Sequence, residues 1–588
     1  MERTEQFSMN LSMKVWSESM ITYQRIHNGV ESTDMAHPSY EIIGWVAFAI
    51  FTAASVFFSI IFTKLYEDHY ETEILVTLTT IISLTLCVCT VTIVPVDVYL
   101  VSSTSNWISG TKFEWATPAL INHMLFGVKT AYYVVFAIIA VLCFIVLPFV
   151  YFYYEEWDEE EGTVMKRSMA ALKYTTLTIA ILLALLMTGL LLKARTTDER
   201  TDMDWFRRLL TSSGAEKSLS FVIAALILFG MLIYISYTAY GLSALPFYFL
   251  KGTQSAESQR GDIESRLVEI RERTRAINGR YTSTNRTITK RDKKMLEDLA
   301  RQERSLTRRS RVVEVESHTW WYKMGTMLRP FQILIGLAML CVTWLIVVSL
   351  FLGSIDKVAN SICGSDCGFI LNNPQIYNPL SQIFLITERY FPIDYIVFIL
   401  IVAYFFISTL YGIMRLGVRL LWVHLYQIKL GETPPQGLLL TTVILILSVL
   451  PLTYYTSVVA PQYATFGSQV YCTSSTGTCE ATPDLIHPCS IDAPASLCTP
   501  TVLSNLLGQI TFGNRFFGMV FYLFQWAFIL IFLIGFAVSA IRSPPPPGTP
   551  TRAEEEEDDL VSPTDNERRP LLTGNGARVG SGIGGGNL

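Results

Sequence analysis

Residues 263–281 read Ile263-Glu264-Ser265-Arg266-Leu267-Val268-Glu269-Ile270-Arg271-Glu272-Arg273-Thr274-Arg275-Ala276-Ile277-Asn278-Gly279-Arg280-Tyr281. Ile263, Leu267, Ile270, Thr274 and Ile277 recur at alternating steps of four and three, the spacing of a narrow seam along a helix. Met295, Leu299, Gln302 and Leu306 repeat the same steps. Between the two seams residues 278–285 are rich in turn formers, among them Asn278, Gly279, Ser283 and Asn285. The stretch 247–330 therefore predicts an antiparallel helical hairpin, and it carries 19 Lys and Arg.

The chain on either side has the opposite character. Its apolar residues fall in runs of roughly twenty, the length a helix needs to cross ~30 Å of hydrocarbon. Nine such runs are expected: 42–62, 74–99, 131–153, 174–192, 218–246, 331–353, 393–414, 437–459 and 516–540. Five precede the charged stretch and four follow it. The 588 residues are 51% hydrophobic and 16% charged, whereas a soluble domain has about 25% charged residues. A net charge of −5 gives no reason to expect nucleic acid as a partner. The expected fold is all-α: a polytopic helical membrane protein, in contact with membrane lipid, with a cytosolic helical hairpin between spans five and six.

This divides the chain into five parts. They are a lumenal amino-terminal segment (1–41), spans one to five (42–246), the charged hairpin (247–330), spans six to nine with cysteine-bearing loops (331–540), and a cytosolic tail (541–588). Residues 1–41 lack a short apolar core with a small-residue cleavage site, so the first span is expected to target the chain. Gly241 and Pro246 predict a kink in the fifth span. Basic residues interrupt 415–430, which reads as an interfacial amphipathic helix.

Two signals set the orientation. With the amino terminus outside the cytosol, the cytosolic segments hold 30 Lys and Arg and the opposite ones 14. The loop 193–217, with six basic residues, argues the other way. The second signal is cysteine. Cys363, Cys367, Cys472, Cys479, Cys489 and Cys498 all fall in two loops on one face, and disulfides persist outside the cytosol. Cys363 and Cys367 are close enough in sequence to pair; the other four allow three connectivities. In this orientation Asn10-Leu11-Ser12 is an accessible glycosylation sequon and Asn285-Arg286-Thr287 is not.

Catalytic signatures are missing. The sequence has no Gly-rich phosphate loop, no His-Glu-x-x-His and no zinc-finger spacing, so the chain is not expected to be an enzyme or to hold a metal. His487 reads as a surface histidine. Intramembrane charge is the usual pointer to transport chemistry, and two carboxylates stand out, Asp97 and Asp394. Each lies in a Pro-x-Asp triplet. The simpler expectation for both is helix termination at a hydrated interface; the functional one is a contact to an ion or substrate.

Several strings carry a resemblance. They are Val94-Pro95-Val96-Asp97-Val98-Tyr99-Leu100-Val101-Ser102, Pro148-Phe149-Val150-Tyr151-Phe152-Tyr153-Tyr154-Glu155-Glu156 and Tyr237-Thr238-Ala239-Tyr240-Gly241-Leu242-Ser243-Ala244-Leu245-Pro246. Phe391-Pro392-Ile393-Asp394-Tyr395, Ala460-Pro461-Gln462-Tyr463 and Gly467-Ser468-Gln469 follow. With nine spans and a charged loop after the fifth, the chain resembles the limb-region membrane protein family over roughly residues 40–540. The resemblance implies a multi-pass lysosomal protein required for cobalamin to leave the lysosome. It also implies a partner, an ABC transporter of subfamily D. Cobalamin would be a transported ligand, with no cofactor bound covalently. The Asp-x-His-x-x-Gly signature of cobalamin enzymes is absent, so no His is assigned to the cobalt. Relatives in the wider family described as lipocalin receptors leave a second expectation, an endocytic receptor or adaptor for an extracellular protein.

The tail opens with Pro544-Pro545-Pro546-Pro547, continues through Glu554-Glu555-Glu556-Glu557-Asp558-Asp559 and ends in a glycine-rich run, a composition of disordered segments. Within it Glu567, Leu571 and Leu572 form an acidic dileucine pattern, which resembles the sorting signals read by clathrin adaptors.

Overall fold

The computed structural model describes residues 37–541 except 69–72, 107–108, 157–163, 192–213, 252–255, 283–291, 311–328, 362–363, 365–374, 388–392, 514 and scattered residues within 294–309 and 421–495. Asn10, Cys363, Cys367, Glu567, Leu571 and Leu572 lie outside the described residues.

Among the described residues, nine helical stretches are long and apolar enough to cross a membrane. In chain order the elements begin with α1 (His37–Tyr66) and α2 (Ile74–Ser102), then the two-residue strands β1 (Ser105–Asn106) and β2 (Thr111–Lys112). α3 (Pro118–Val141) continues through a π turn (Leu142–Val146) into α4 (Leu147–Glu155), and α5 (Val164–Leu191) and α6 (Gly214–Lys251) follow. α7 (Ala256–Thr282) is the first arm of the charged stretch. Then come α8 (Arg329–Ala359), α9 (Pro379–Thr387), α10 (Ile393–Leu416), β3 (Val418–Leu420) and β4 (Val423–Tyr426). α11 (Pro435–Val459), α12 (Pro461–Phe466), β5 (Val470–Cys472), β6 (Ile486–Pro488), α13 (Val502–Gly513) and α14 (Arg515–Ile541) complete the chain.

Contacts divide the chain into two compact units. The larger comprises residues up to Leu245 together with Cys341–Ala537, and the smaller comprises Pro246–Leu340 with Val538–Leu588.

In the larger unit helices approach closely at small residues. That is how membrane helices associate where lipid offers as apolar a surrounding as another helix. A side chain at Gly241 of α6 would strike the Ser408 carbonyl of α10, and one at Gly412 of α10 would strike the Tyr237 carbonyl of α6. The two pairs share one spacing of four residues, so the backbones meet over a full turn. The Thr238 and Thr409 hydroxyls share a hydrogen bond of 2.8 Å in the same contact. α11 is the central helix, with 83% of its apolar window buried, against 11% for α5 at the periphery. Tyr234 stacks on Tyr455 at 5.0 Å and on Phe528 at 5.9 Å, tying α6, α11 and α14 together.

Three expectations change. α2 does not end at Pro95-Val96-Asp97 but runs on to Ser102, and Asp97 is 1% exposed rather than hydrated. Asp394 does open a helix, but it too is buried. The segment 415–430 is not an interfacial helix. α10 stops at Leu416, Gly417 takes φ 69°, and β3 and β4 pair antiparallel. The physical reason is the turn. A left-handed residue breaks the helix, and Tyr237 then fixes the exit: its hydroxyl donates to the Gly417 carbonyl (3.1 Å) and accepts from the Arg419 N–H (3.0 Å).

In the smaller unit Ile263 and Ile270 of α7 are buried, as is Leu299 of the following stretch. Arg271 pairs with Glu303 at 2.8 Å, and the Tyr281 hydroxyl donates to Asp292. Position 271 faces 303 while 281 faces 292, an antiparallel order. The second seam is shifted from the expected one: Met295 is 55% exposed, while Leu296 and Leu306 are partly buried beside Leu299.

Candidate functional site

The strings that carried the resemblance converge in the larger unit. α2 brings Asp97, α10 brings Asp394, α12 and the following turn bring Gln462, Tyr463, Ser468 and Gln469, and α13 begins among them. Asp97 accepts from the Val502 N–H at Oδ1 (3.2 Å) and the Leu503 N–H at Oδ2 (2.8 Å). These are among the first amides of α13, which have no partner within their own helix. A buried carboxylate there meets two orphan donors and the positive end of the helix dipole. Tyr132, fully buried, faces the same carboxylate. Asp394 accepts from the Tyr463 hydroxyl at Oδ2 (3.0 Å), and its Oδ1 has no partner among the described residues. Tyr463 in turn stacks on Phe384 at 4.2 Å.

Gln469 closes the next layer. Its amide nitrogen donates to the Phe466 and Thr499 carbonyls, both at 2.7 Å, and its oxygen accepts from the Thr499 N–H at 3.0 Å. Gly467, at φ 60°, lies where a side chain would strike the Ser102 hydroxyl, which accepts from the Ser468 N–H at 3.1 Å. Gln462 donates to the Cys489 carbonyl at 3.2 Å. Cys472 is bonded to Cys479 and Cys489 to Cys498, so of the three possible connectivities the chain takes the one between sequence neighbours. β2 joins this cap through Lys112, whose ammonium donates to the Thr499 hydroxyl at 2.7 Å; burial pulls its pKa down.

An open, apolar cleft lies beside Asp97, lined by Leu100, Ile121, Met124, Leu125 and Val128, with about 280 Å³ of empty space including open solvent. The arrangement offers hydrogen-bond caps and aromatic packing, not a paired acid and base.

A second polar centre escaped the sequence reading. The Gln525 amide of α14 donates to the Tyr454 hydroxyl of α11 at 2.7 Å. Its oxygen faces Ser354 (3.4 Å) and the Lys357 ammonium (3.5 Å), both on α8. Asp356, 1% exposed, accepts from Asn360 (2.6 Å) and the Gln375 N–H (3.1 Å). The expected span stopped at 353, so Asp356 and Lys357 read as loop; the helix runs to Ala359. The signal available in the sequence was Gln525, the one amide in its apolar run. Glu67 was also missed. It is 3% exposed in the α1–α2 turn and accepts from Lys64 (2.7 Å) and Thr77.

Nine membrane-length helices among the described residues, joined by interhelical hydrogen bonds and carrying a disulfide-bonded cap, define a polytopic α-helical membrane protein. The family model of the LMBR1-like membrane proteins matches residues 43–260. A protein of Aspergillus terreus named probable lysosomal cobalamin transporter is 40% identical over 494 residues, covering 80% of this chain and 86% of that one. Proteins of the same name from Ajellomyces capsulatus (39%, 85% of this chain and 89% of that one) and Aspergillus oryzae (36%, 85% and 90%) are similar over as much of their length. The chain belongs to this LMBR1-like family of membrane proteins. No solved structure matches it.

Proposed function

We propose that this chain serves the export of cobalamin from lysosome to cytosol, as a multi-pass protein of the lysosomal membrane. The observation that carries the reading is 36–40% identity, over most of both chains, to proteins named probable lysosomal cobalamin transporters. The two disulfides support a lumenal cap, because disulfides persist in oxidising compartments. That orientation leaves the charged hairpin and the tail cytosolic and Asn10 lumenal. The endocytic-receptor reading is not favoured, since these relatives are named as transporters.

Within export the chain acts as conduit or as escort of an ABC exporter of subfamily D. The buried polar groups support the escort: Asp97 and Gln525 both have protein partners. Delivery to the lysosome would use Glu567, Leu571 and Leu572 as a clathrin-adaptor signal. Deleting the chain from cells should trap cobalamin in lysosomes and starve the cell's cobalamin enzymes. Normal cobalamin distribution, with defective uptake of an extracellular protein, would transfer the reading to the receptor. Reconstitution in vesicles with and without the ABC partner then separates conduit from escort: flux by the chain alone means a conduit.

A further inference from the structure

We propose that the inward stripe of α8 carries an oxyanion site, in which Lys357 and Tyr454 receive the carboxylate or phosphate group of a small solute entering from the cap side. The inference rests on helix geometry and not on the assignment of an export function. α8 has two unlike faces. Trp344, Val348, Phe351 and Val358 are exposed, as a lipid-facing side is. Ile346 and Leu350 are buried, and Gly353 and Lys357 continue their stripe at steps of four, three and four. Lys357 therefore points into the bundle. A lysine near a helix end ordinarily turns its ammonium out to water. This one turns toward the Gln525 amide oxygen of α14, at 3.5 Å. Gln525 is 1% exposed and ten residues past the start of α14 at Arg515, about 15 Å along its axis.

The charge there is unanswered. An ammonium has three donors, and its one acceptor is a neutral oxygen at the outer limit of hydrogen-bond distance. Among the described residues Lys357 belongs to no ion pair. Asp356, next in sequence, lies about 100° away around the helix. Its two oxygens are taken by the Asn360 amide at 2.6 Å and the Gln375 N–H at 3.1 Å. Tyr454, 6% exposed, adds a second open donor. Its hydroxyl accepts from Gln525 at 2.7 Å, and nothing among the described residues accepts its hydrogen. Lys357 and Tyr454 thus flank one amide, the first at its oxygen and the second at its nitrogen.

There is room beside them. Gly353 lies one turn before Lys357 on the same stripe, and a Cβ there would meet no atom of the described residues within 4 Å. At Gly230, Gly241 and Gly412, where helices of this unit touch, a Cβ would strike a carbonyl oxygen. Gly353 and Lys357 are both partly exposed although their stripe faces inward, so the space reaches solvent. It does so on the cap side: α8 ends at Ala359, and two crossings, α10 and α11, separate that end from the cap. A charge held among helices is costly unless it is paired. An oxyanion in this space pairs it, with the ammonium as a point charge and the tyrosine O–H as a second donor. A cation is repelled, and a neutral solute leaves the ammonium as it was.

The test uses the purified full chain in neutral-lipid nanodiscs. Reductive methylation with formaldehyde and a neutral borane, followed by mass spectrometry, reads the accessibility of each lysine. Lys357 should react. Methyl phosphate or acetate should slow it several-fold against sodium chloride of equal ionic strength, and the stronger protectant of the two names the group that the site takes. Lys64, with a side chain 60% exposed, should react at one rate throughout. The better anion should also raise the thermal midpoint, as a ligand of the folded state must. The rise should shrink in Tyr454→Phe and vanish in Lys357→Met, which keeps the length of the side chain without its charge. If Lys357→Met fails to fold, the methylation rates of the unaltered chain decide. Four results each overturn the proposal: a Lys357 that does not react without added anion, a rate unchanged by both anions, equal protection of Lys64, or a midpoint rise that survives in Lys357→Met.

Discussion

The cap and the charged hairpin are both polar excursions from a helical membrane protein, and they are held in opposite ways. In the cap the buried groups that hold it are polar and answered by specific partners: Asp97 by two amides, Gln469 by three backbone groups, four cysteines by each other. In the charged stretch the buried groups are aliphatic, Ile263, Ile270 and Leu299, and its ion pair lies toward solvent, with Arg271 55% and Glu303 35% exposed. A buried polar group left alone costs its full desolvation, while an exposed ion pair loses little when broken. The cap should therefore fail at single polar positions, and the hairpin only at its seam.

The largest expected effect is Asp97→Ala. It leaves two buried N–H groups without an acceptor, at ~1–3 kcal/mol apiece, and should destabilise the cap by about 3 kcal/mol. Asp97→Asn keeps one acceptor oxygen and should lose less. Thermal unfolding in detergent, followed by tryptophan fluorescence, measures both. A wild-type midpoint for Asp97→Ala would mean that α13 is held by something other than this carboxylate.

Next comes the paired change Cys489→Ser with Cys498→Ser. The closed loop is short, so the loss should be about 2–3 kcal/mol. A reducing agent should weaken the wild-type cap in the same way while leaving the tryptic pattern of residues 256–310 as it was. If reduction loosens the hairpin equally, the two regions do not differ as described.

Leu299→Asp should cost about 2–3 kcal/mol, the burial of one leucine, but locally. Cleavage between the arms should accelerate with little change in the global midpoint. A fall in the global midpoint equal to that of Asp97→Ala would erase the contrast. Smallest is Arg271→Ala, for which double-mutant cycles with Glu303→Ala should give a coupling of about 0.5 kcal/mol that shrinks with salt. A coupling several times larger would place the hairpin's stability in its charges.

The same contrast explains what could be read in advance. A membrane span announces itself by local composition, because each residue must suit the surrounding hydrocarbon. The first arm of the charged stretch announces itself by a local period, and Ile263 and Ile270 are buried as that period requires. The partners of Asp97 are another matter. Its acceptors' donors lie 405 and 406 residues away in sequence, and Lys357 and Gln525 are 168 apart. No window of a chain contains such a pair. Pro95 added a false stop: it withdraws one backbone donor, yet α2 continues past it to Ser102.

By itself, then, the sequence determined the membrane class, the nine spans found among the described residues, the position of the charged stretch, and the four cysteines of the cap that bond. These follow from solvent preference and periodicity, which act over a few turns. Only the tertiary structure decided that Pro95-Val96-Asp97 caps a distant helix instead of ending its own. It also decided that 415–430 turns back as strands, that the second seam of the hairpin is shifted, and that Cys472–Cys479 and Cys489–Cys498 are the pairs. The reason is common to all four. Each depends on which donor, acceptor or sulfur a residue meets in space, and that is fixed by how the helices pack.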